Sequence, residues 1–206
     1  MKGKPMVVDA YKFLIPAMAL GIVLVLLHLS YIAVLFFILA AFVCYFFRNP
    51  NRQIPEGNNL VVSPADGKVV KISKRSEDGE QTVSIFLNVF NVHLQRSPIS
   101  GELRHLEYKR GKFKVAYDEE ASRVNEQNIL TIQGQGIQVV VRQVAGLIAR
   151  RVICWKRPGC ALQRGELFGL IRFGSRVDIV LPENVKLRVK AGDQVQGGSS
   201  ILGEHL

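Results

Sequence analysis

From Phe13 to Phe47 the chain contains no Asp, Glu, Lys or Arg, an uncharged stretch of 35 residues. That excludes an ordinary soluble N-terminus, because about 18 apolar residues already make a membrane-helix candidate. Cysteine is scarce. The three present, Cys44, Cys154 and Cys160, lack metal-ligand spacing, and Cys44 lies within the apolar stretch. A disulfide framework and a zinc module are therefore not expected. Histidine is scarce too, and His105 in Leu103-Arg104-His105-Leu106 reads as a lone surface residue, so no metal site is expected. The formal charge is +10, yet no helix-turn-helix, zinc finger or aromatic RNA-binding motif accompanies it. Nucleic acid is thus not an expected partner.

The apolar stretch is too long for one span. As a single helix it would measure roughly 52 Å against a hydrocarbon core of about 30 Å. His28 and Ser30 divide it into two arms, Phe13–Leu27 and Tyr31–Phe47. The expectation is a helical hairpin, either two short tilted spans or a loop dipping into one leaflet. Lys2, Lys4 and Lys12 precede it and Arg48 and Arg52 follow it. Positive charge on both flanks favours both ends on the cytoplasmic face of the cell (inner) membrane. A cleaved signal peptide fits poorly, because the block is long and no clear cleavage site follows. Pro50 and Pro55, with Asn49 and Asn51, mark a linker. The expected organisation is a membrane-associated segment at 1–47, a linker at 48–55 and a further domain at 56–206. Residues 48–206 hold 24 Lys or Arg against 16 Asp or Glu. Beside a membrane segment that excess points to anionic lipid, at about 1 kcal/mol of attraction per basic residue near the surface.

Beyond the linker the pattern is that of short strands. Leu60–Val62, Lys68–Ile72, Thr82–Leu87, Ile129–Ile132, Ile137–Val144, Arg151–Trp155 and Lys186–Val189 are β-branched or alternating. Asp66-Gly67, Asp78-Gly79, Gly134-Gln135-Gly136 and Pro158-Gly159 supply turns between them. Only Gln143–Arg150 reads as a possible helical turn. Pro158–Gly165 and Ala191–Gly198 form a weak internal repeat, with Gly, an apolar residue three later and Gly six later. Both resemble the turn-and-strand signature of biotinyl/lipoyl-type β-sandwiches, but Gly-rich turns between strands commonly look alike, and shared β-turn geometry is the favoured reading. No lysine flanked by Met stands at a hairpin tip, so cofactor attachment of that kind is not expected. The fold class expected is mainly β, a sandwich-like domain preceded by the apolar hairpin.

The segment Phe173-Gly174-Ser175-Arg176-Val177-Asp178 carries a candidate nucleophile. A serine hydroxyl needs a base, and His is the usual one near neutral pH. The imidazole in turn needs an orienting group, commonly a carboxylate. His93 in Asn91-Val92-His93 and Asp66 in Ser63-Pro64-Ala65-Asp66-Gly67 are candidates for those roles. Each also has a purely structural explanation. Asp66 suits a turn, His93 suits a core position in an apolar run, and Gly174-Ser175 suits a tight turn.

Taken together, Ser63–Gly67, Asn91–His93, Gly146-Leu147-Ile148-Ala149-Arg150-Arg151 and Gly165-Glu166-Leu167-Phe168-Gly169-Leu170-Ile171-Arg172-Phe173-Gly174-Ser175 resemble the phosphatidylserine decarboxylase family in its short bacterial and archaeal branch. The likeness runs over most of the chain, including the apolar N-terminus and the exit Phe46-Phe47-Arg48-Asn49-Pro50. It implies a proenzyme that cuts itself at Gly174-Ser175. Ser175 would attack the Gly174 carbonyl, with His93 as base and Asp66 orienting it. Gly174 lacks a Cβ, which frees the backbone for such attack. The products would be a β chain, 1–174, and an α chain, 175–206, held as a heterodimer. The α chain would begin with a pyruvoyl group derived from Ser175. That group would form a Schiff base with the substrate amine and serve as electron sink, with no pyridoxal phosphate and no metal. His93 would then reprotonate the product.

The resemblance has departures. Longer family members have a further histidine where this chain has Phe90, and Cys160 stands where an acidic residue is common. Arg96, Arg150, Arg151 and Arg172 are candidates for the substrate phosphate. The implied reaction converts phosphatidylserine to phosphatidylethanolamine. Archaetidylserine is an alternative substrate with the same head group. A non-enzymatic, membrane-tethered β-sandwich adaptor is an alternative of another class. A pyruvoyl decarboxylase for a soluble amino acid is a third, disfavoured by the apolar block. A higher homo-oligomer is compatible with the sequence and not fixed by it.

Overall fold

The computed structural model describes residues 5–74, 79–112, 124–146, 151–172 and 175–205. The chain forms two units, Met1–Asn51 and Arg52–Leu206.

The first unit is the expected hairpin, with α1 at Tyr11–Leu26 and α2 at Ser30–Phe46. The break falls where the polar residues predict it. His28 has φ 57°, a left-handed backbone unusual for a residue with a Cβ. Small residues form the seam between the helices. Ala17 and Gly21 of α1 and Ala33 and Ala40 of α2 are buried. A Cβ on Gly21 would lie 2.9 Å from the Phe37 ring. The outward surface stays apolar, with Ile15, Leu26, Leu35 and Ile38 all exposed. Val8–Leu26 is long and apolar enough to cross a membrane by length and composition, and Ser30–Phe46 is a shorter apolar helix.

The second unit is mainly β, as expected. Its strands are β1 (Leu60–Val62), β2 (Gly67–Lys74), β3 (Gln81–Leu87), β4 (Leu94–Arg96), β5 (Gly101–Lys109), β6 (Gln127–Gln133) and β7 (Gln138–Ala145). Then follow β8 (Val152–Cys154), β9 (Ala161–Leu162), β10 (Leu167–Ile171), β11 (Ser175–Leu181), β12 (Val185–Leu187), β13 (Gln194–Val195) and β14 (Ile201–His205). An eight-stranded sheet runs β13-β2-β3-β11-β7-β6-β5-β9, and two small sheets run β1-β14-β12 and β4-β10-β8. The core lies on one face of the large sheet and takes Val61 from one small sheet and Phe168 and Ile171 from the other.

These orders are those of two interleaved copies of one motif. The first copy is β1-β2-β3 with β11-β12-β13-β14. The second is β4-β5-β6 with β7-β8-β9-β10. Hydrogen bonds repeat between them. Gly198 N–H donates to Ser63 O at 2.8 Å, and Gly165 N–H to Ser97 O at 2.8 Å. Gly192 N–H donates to Val69 O, and Gly159 N–H to Leu103 O, again both at 2.8 Å. All four glycines have positive φ, which a Cβ would oppose. The weak repeat, expected to be shared turn geometry alone, is therefore part of a structural duplication. It extends further, because Ser63-Pro64-Ala65-Asp66-Gly67 is matched by Ser97-Pro98-Ile99-Ser100-Gly101. Ser63 Oγ donates to Ala65 O and Ser97 Oγ to Ile99 O, each at 2.7 Å.

One expectation needs correction. Gln143–Ala145 is not helical but the end of β7, where Val144 faces Arg176 and Gln143 faces Val177. Val139, Val141 and Ala145 on the same strand alternate into the core, so burial on a sheet face overrides the local polar composition. Gly146 lies beyond the strand in neither helix nor strand, and residues 147–150 lie outside the described residues.

Candidate active site

β11 is the central strand of the large sheet, paired with β3 on one side and β7 on the other. Ser175 is its first residue, opposite Leu87 and Ala145. Alternation places Ser175 on the same face as Val177, Ile179 and Leu181, which is the core face. Ser175 is fully buried, and among the described residues no hydrogen-bond partner meets its Oγ. A buried hydroxyl without a partner costs roughly 1–3 kcal/mol. Such a group calls for a functional reason. Gly174 lies outside the described residues, as does Arg150.

His93 reaches the same end of the sheet by two routes. It follows the 88–91 turn that leaves β3 just beyond Leu87. Its carbonyl accepts from Ile171 N–H at 3.2 Å, at the end of β10 on the approach to Ser175. The imidazole is buried, and Nδ1 lies 3.0 Å from Asn91 O. A carbonyl only accepts, so Nδ1 is the donor in this contact.

Asp66 is engaged elsewhere. One carboxylate oxygen accepts from Arg52 Nη2 at 2.6 Å and the other from Gly197 N–H at 2.8 Å. Among the described residues the backbone carbonyl beside His93 Nδ1 is that of Asn91. The symmetry explains half of this arrangement. Ser100, which occupies the position of Asp66 in the second copy, accepts from Arg164 N–H at 3.0 Å in the same way. Asp66 still stands at the site's end of the sheet, since Lys68 faces Phe86 and Phe86 faces Arg176.

The arginine candidates separate. Arg172 N–H donates to Arg151 O at 3.3 Å, which puts both beside the β10–β11 junction. Arg96 lies at the other end of β4 and donates to Gly165 O at 2.8 Å. Burial and the neighbouring Arg52 cation lower its guanidinium below the ordinary value, against the pull of Asp66. Arg96 is therefore part of the Arg52–Asp66 cluster. That cluster fastens residues 52–55 to the β domain. Arg164 adds bonds to Pro55 O at 2.5 Å and to Gly57 O.

Sequence reasoning missed the groups behind His93. Gln95 and Gln143 are fully buried amides of β4 and β7, joined at 2.8 Å. It also missed the buried pair Arg176–Asp178, bonded at 2.9 Å on the face of β11 opposite Ser175.

A family model described as phosphatidylserine decarboxylase matches residues 39–203. A phosphatidylserine decarboxylase proenzyme of Geotalea uraniireducens is 46% identical over 207 residues, covering 98% of this chain and 97% of that protein. One of Solibacter usitatus is 49% identical over 169 residues, covering 82% and 81%. A third, of Syntrophus aciditrophicus, is 46% identical over 183 residues, covering 86% of each. With a core-facing serine heading the central strand and this likeness along nearly its whole length, the chain belongs to the phosphatidylserine decarboxylase family.

Proposed function

We propose that the chain is a self-processing decarboxylase that converts phosphatidylserine to phosphatidylethanolamine, with the cut at Gly174-Ser175. The observation that carries the reading is the buried Ser175 Oγ, without a hydrogen-bond partner among the described residues, at the head of the central strand. His93 Nε2 takes the hydroxyl proton while Oγ attacks the Gly174 carbonyl carbon. The C–N bond breaks, the proton passes to the freed Ser175 nitrogen, and an ester joins the two pieces. Loss of the Ser175 Cα proton then expels the Gly174 carboxylate and leaves dehydroalanine. Its imine tautomer adds water and releases ammonia.

The residue-175 position fits the product. Its register partners are Leu87 and Ala145, and its hydroxyl has no hydrogen-bond partner among the described residues. Residue 175 as a pyruvoyl group supplies a carbonyl electron sink for losing CO2 from an amino acid head group. Arg151 and Arg172 stand at the site's end of the sheet to receive the lipid phosphate. Asp66 acts at one remove, holding Arg52 and residue 197 against the Ser63–Gly67 turn. The apolar hairpin docks the enzyme in the membrane, on the cytoplasmic face, because a diacyl substrate leaves the bilayer at about 0.8 kcal/mol per CH2.

Intact-mass analysis of purified protein tests this. The expected result is two chains, the smaller of about 32 residues with a carbonyl-bearing N-terminus, and an uncut Ser175→Ala variant. A single unbroken, active chain would refute it and leave the serine without a chemical role.

A further inference from the structure

Behind His93 runs a line of buried amides with one direction. Asn128 Nδ2 donates to Gln143 Oε1 at 2.9 Å. Gln143 Nε2 donates to Gln95 Oε1 at 2.8 Å and to Ile153 O at 3.2 Å. Gln95 Nε2 donates to His93 O at 2.8 Å. All three side chains are buried, Gln95 and Gln143 completely. Every donor and acceptor of Gln143 is used, which is how a buried polar network avoids a desolvation penalty.

The duplicated fold shows that its architecture does not require these amides. Gly169 of β10 faces Gln95, and Gly203 of β14, its counterpart, faces Val61. Asn128 faces Gln143, and Gln81, at the counterpart of Asn128, faces Leu181. One copy therefore packs Val61 and Leu181 where the other has Gln95 and Gln143. The backbone bond at the end of the line is common to both copies. His205 N–H donates to Asn59 O at 3.0 Å, as Ile171 N–H does to His93 O. Among the described residues a side-chain amide joins it only at His93. The room is made locally, because a Cβ on Gly169 would lie 2.7 Å from Gln143 Nε2.

We propose that Gln95 and Gln143 are positioning residues for the reaction. They hold the His93 backbone, and so the imidazole whose Nδ1 is fixed by Asn91, in register with Ser175. The inference rests on the reading of His93 and Ser175 given above. Neither glutamine touches the reacting atoms, and both act through His93.

The test follows cleavage of the full chain, synthesised in the presence of lipid vesicles, as the smaller fragment appears over a range of pH. The variants are Gln95→Met and, as control, Gln81→Met. The control breaks an equally buried amide bond, Gln81 Nε2 to Val185 O at 2.8 Å, at the other end of the sheet. Gln95→Met should cleave about tenfold more slowly at neutral pH, equivalent to about 1.4 kcal/mol on the barrier. The pH of its half-maximal rate should also move. Gln81→Met should keep the parental rate and pH profile despite a similar loss of thermal stability. Parental cleavage by Gln95→Met, or equal slowing in both variants, overturns the proposal. Should Gln95→Met fail to fold, the triple variant Gln95→Val, Gln143→Leu, Asn128→Gln imports the packing of the other copy. It should fold and cleave slowly, and parental cleavage by it also overturns the proposal. Parent and Ser175→Ala run alongside. An uncut parent or a cut Ser175→Ala overturns the reading of the site itself, and the inference with it.

Discussion

Gly169→Ala and Gly203→Ala are the same change made at matched positions of the two copies, and they separate fold from function. A Cβ at Gly203 would meet Lys186 O and Val185 Cγ1, each at 2.8 Å. A Cβ at Gly169 would press against Ile153 O more closely than that and would also meet Gln143 Nε2 at 2.7 Å. Both alanines must push a neighbouring strand outward, and overpacking of this kind costs about 1–3 kcal/mol. Gly169→Ala belongs at the upper end, because backbone oxygen cannot rotate away and a satisfied amide is displaced. For a domain of this size each kcal/mol moves the melting midpoint by about 2–4 °C. The expected falls are therefore about 6–10 °C for Gly169→Ala and about 3–6 °C for Gly203→Ala. Calorimetry in the Ser175→Ala background measures them on a uniform uncut chain. Cleavage in the Ser175 background is the second readout. Gly169→Ala should slow it by about tenfold or more, since Gln143 anchors the line to His93. Gly203→Ala should leave it within about twofold. Equal slowing by both alanines would refute the reasoning, because distance from His93 would then not matter.

Three further outcomes follow from the same geometry. After cleavage the α chain should stay bound through gel filtration and separate only in denaturant, because its β11 pairs with both β3 and β7; loss of the fragment in plain buffer would contradict this. Asp66→Ala should lower stability by about 2 kcal/mol and slow cleavage, since it releases both Arg52 and Gly197; Asp66→Asn, which still accepts from Gly197, should recover part of each in the same two assays. Glu166 pairs with Lys156. Desolvation raises the Glu166 carboxyl, but bonds from Lys156 and Gln163 N–H outweigh it and hold the group below its usual range. A depressed carboxylate stabilises the fold above its unfolded value near 4.3 and loses that contribution as pH falls through the folded value. Glu166→Gln should therefore cost up to about 1 kcal/mol at neutral pH and nothing in strong acid, read from urea melts at the two pH values.

The hairpin was legible because an uncharged run admits few alternatives and His28 and Ser30 interrupt it. The strands read from sequence, such as Leu60–Val62 and Thr82–Leu87, are those whose apolar residues alternate or cluster. β11 escaped because Arg176 and Asp178 make Ser175–Leu181 look half polar, whereas every residue of it is buried and the two charges pair with each other. β5 escaped for the opposite reason, with exposed Arg104, His105 and Lys109 facing away from the core. β9 and β13 are two residues long, too short for any period to show. At the site, the nucleophile and base were legible as residue types in a known arrangement. The contact between His93 Nδ1 and the Asn91 carbonyl was not, because any residue supplies a backbone carbonyl. Gln95 and Gln143 carry no motif. Their signal was the second Ser-Pro-x-x-Gly segment at Ser97–Gly101, which aligns the copies and sets Val61 as the counterpart of Gln95.

The duplication gives a criterion for function that composition lacks. What both copies share serves the fold: the positive-φ glycines, the Ser-Pro turns, and the side-chain acceptor of Asp66 and Ser100 for the following copy of the Gly-rich turn. What only one copy has requires another cause. By that criterion Asp66 divides in two. Its bond to Gly197 is architecture, and its ion pair with Arg52, which Ser100 has no charge to make, is the departure. His93 and the amides behind it are a departure throughout, set against Asn59, Val61 and Leu181. These departures converge on the end of β11 where Ser175 begins, the end at which we propose that the chain cuts itself. On this proposal a symmetric scaffold becomes a single-site catalyst by substituting polar groups for apolar ones along one line of one copy.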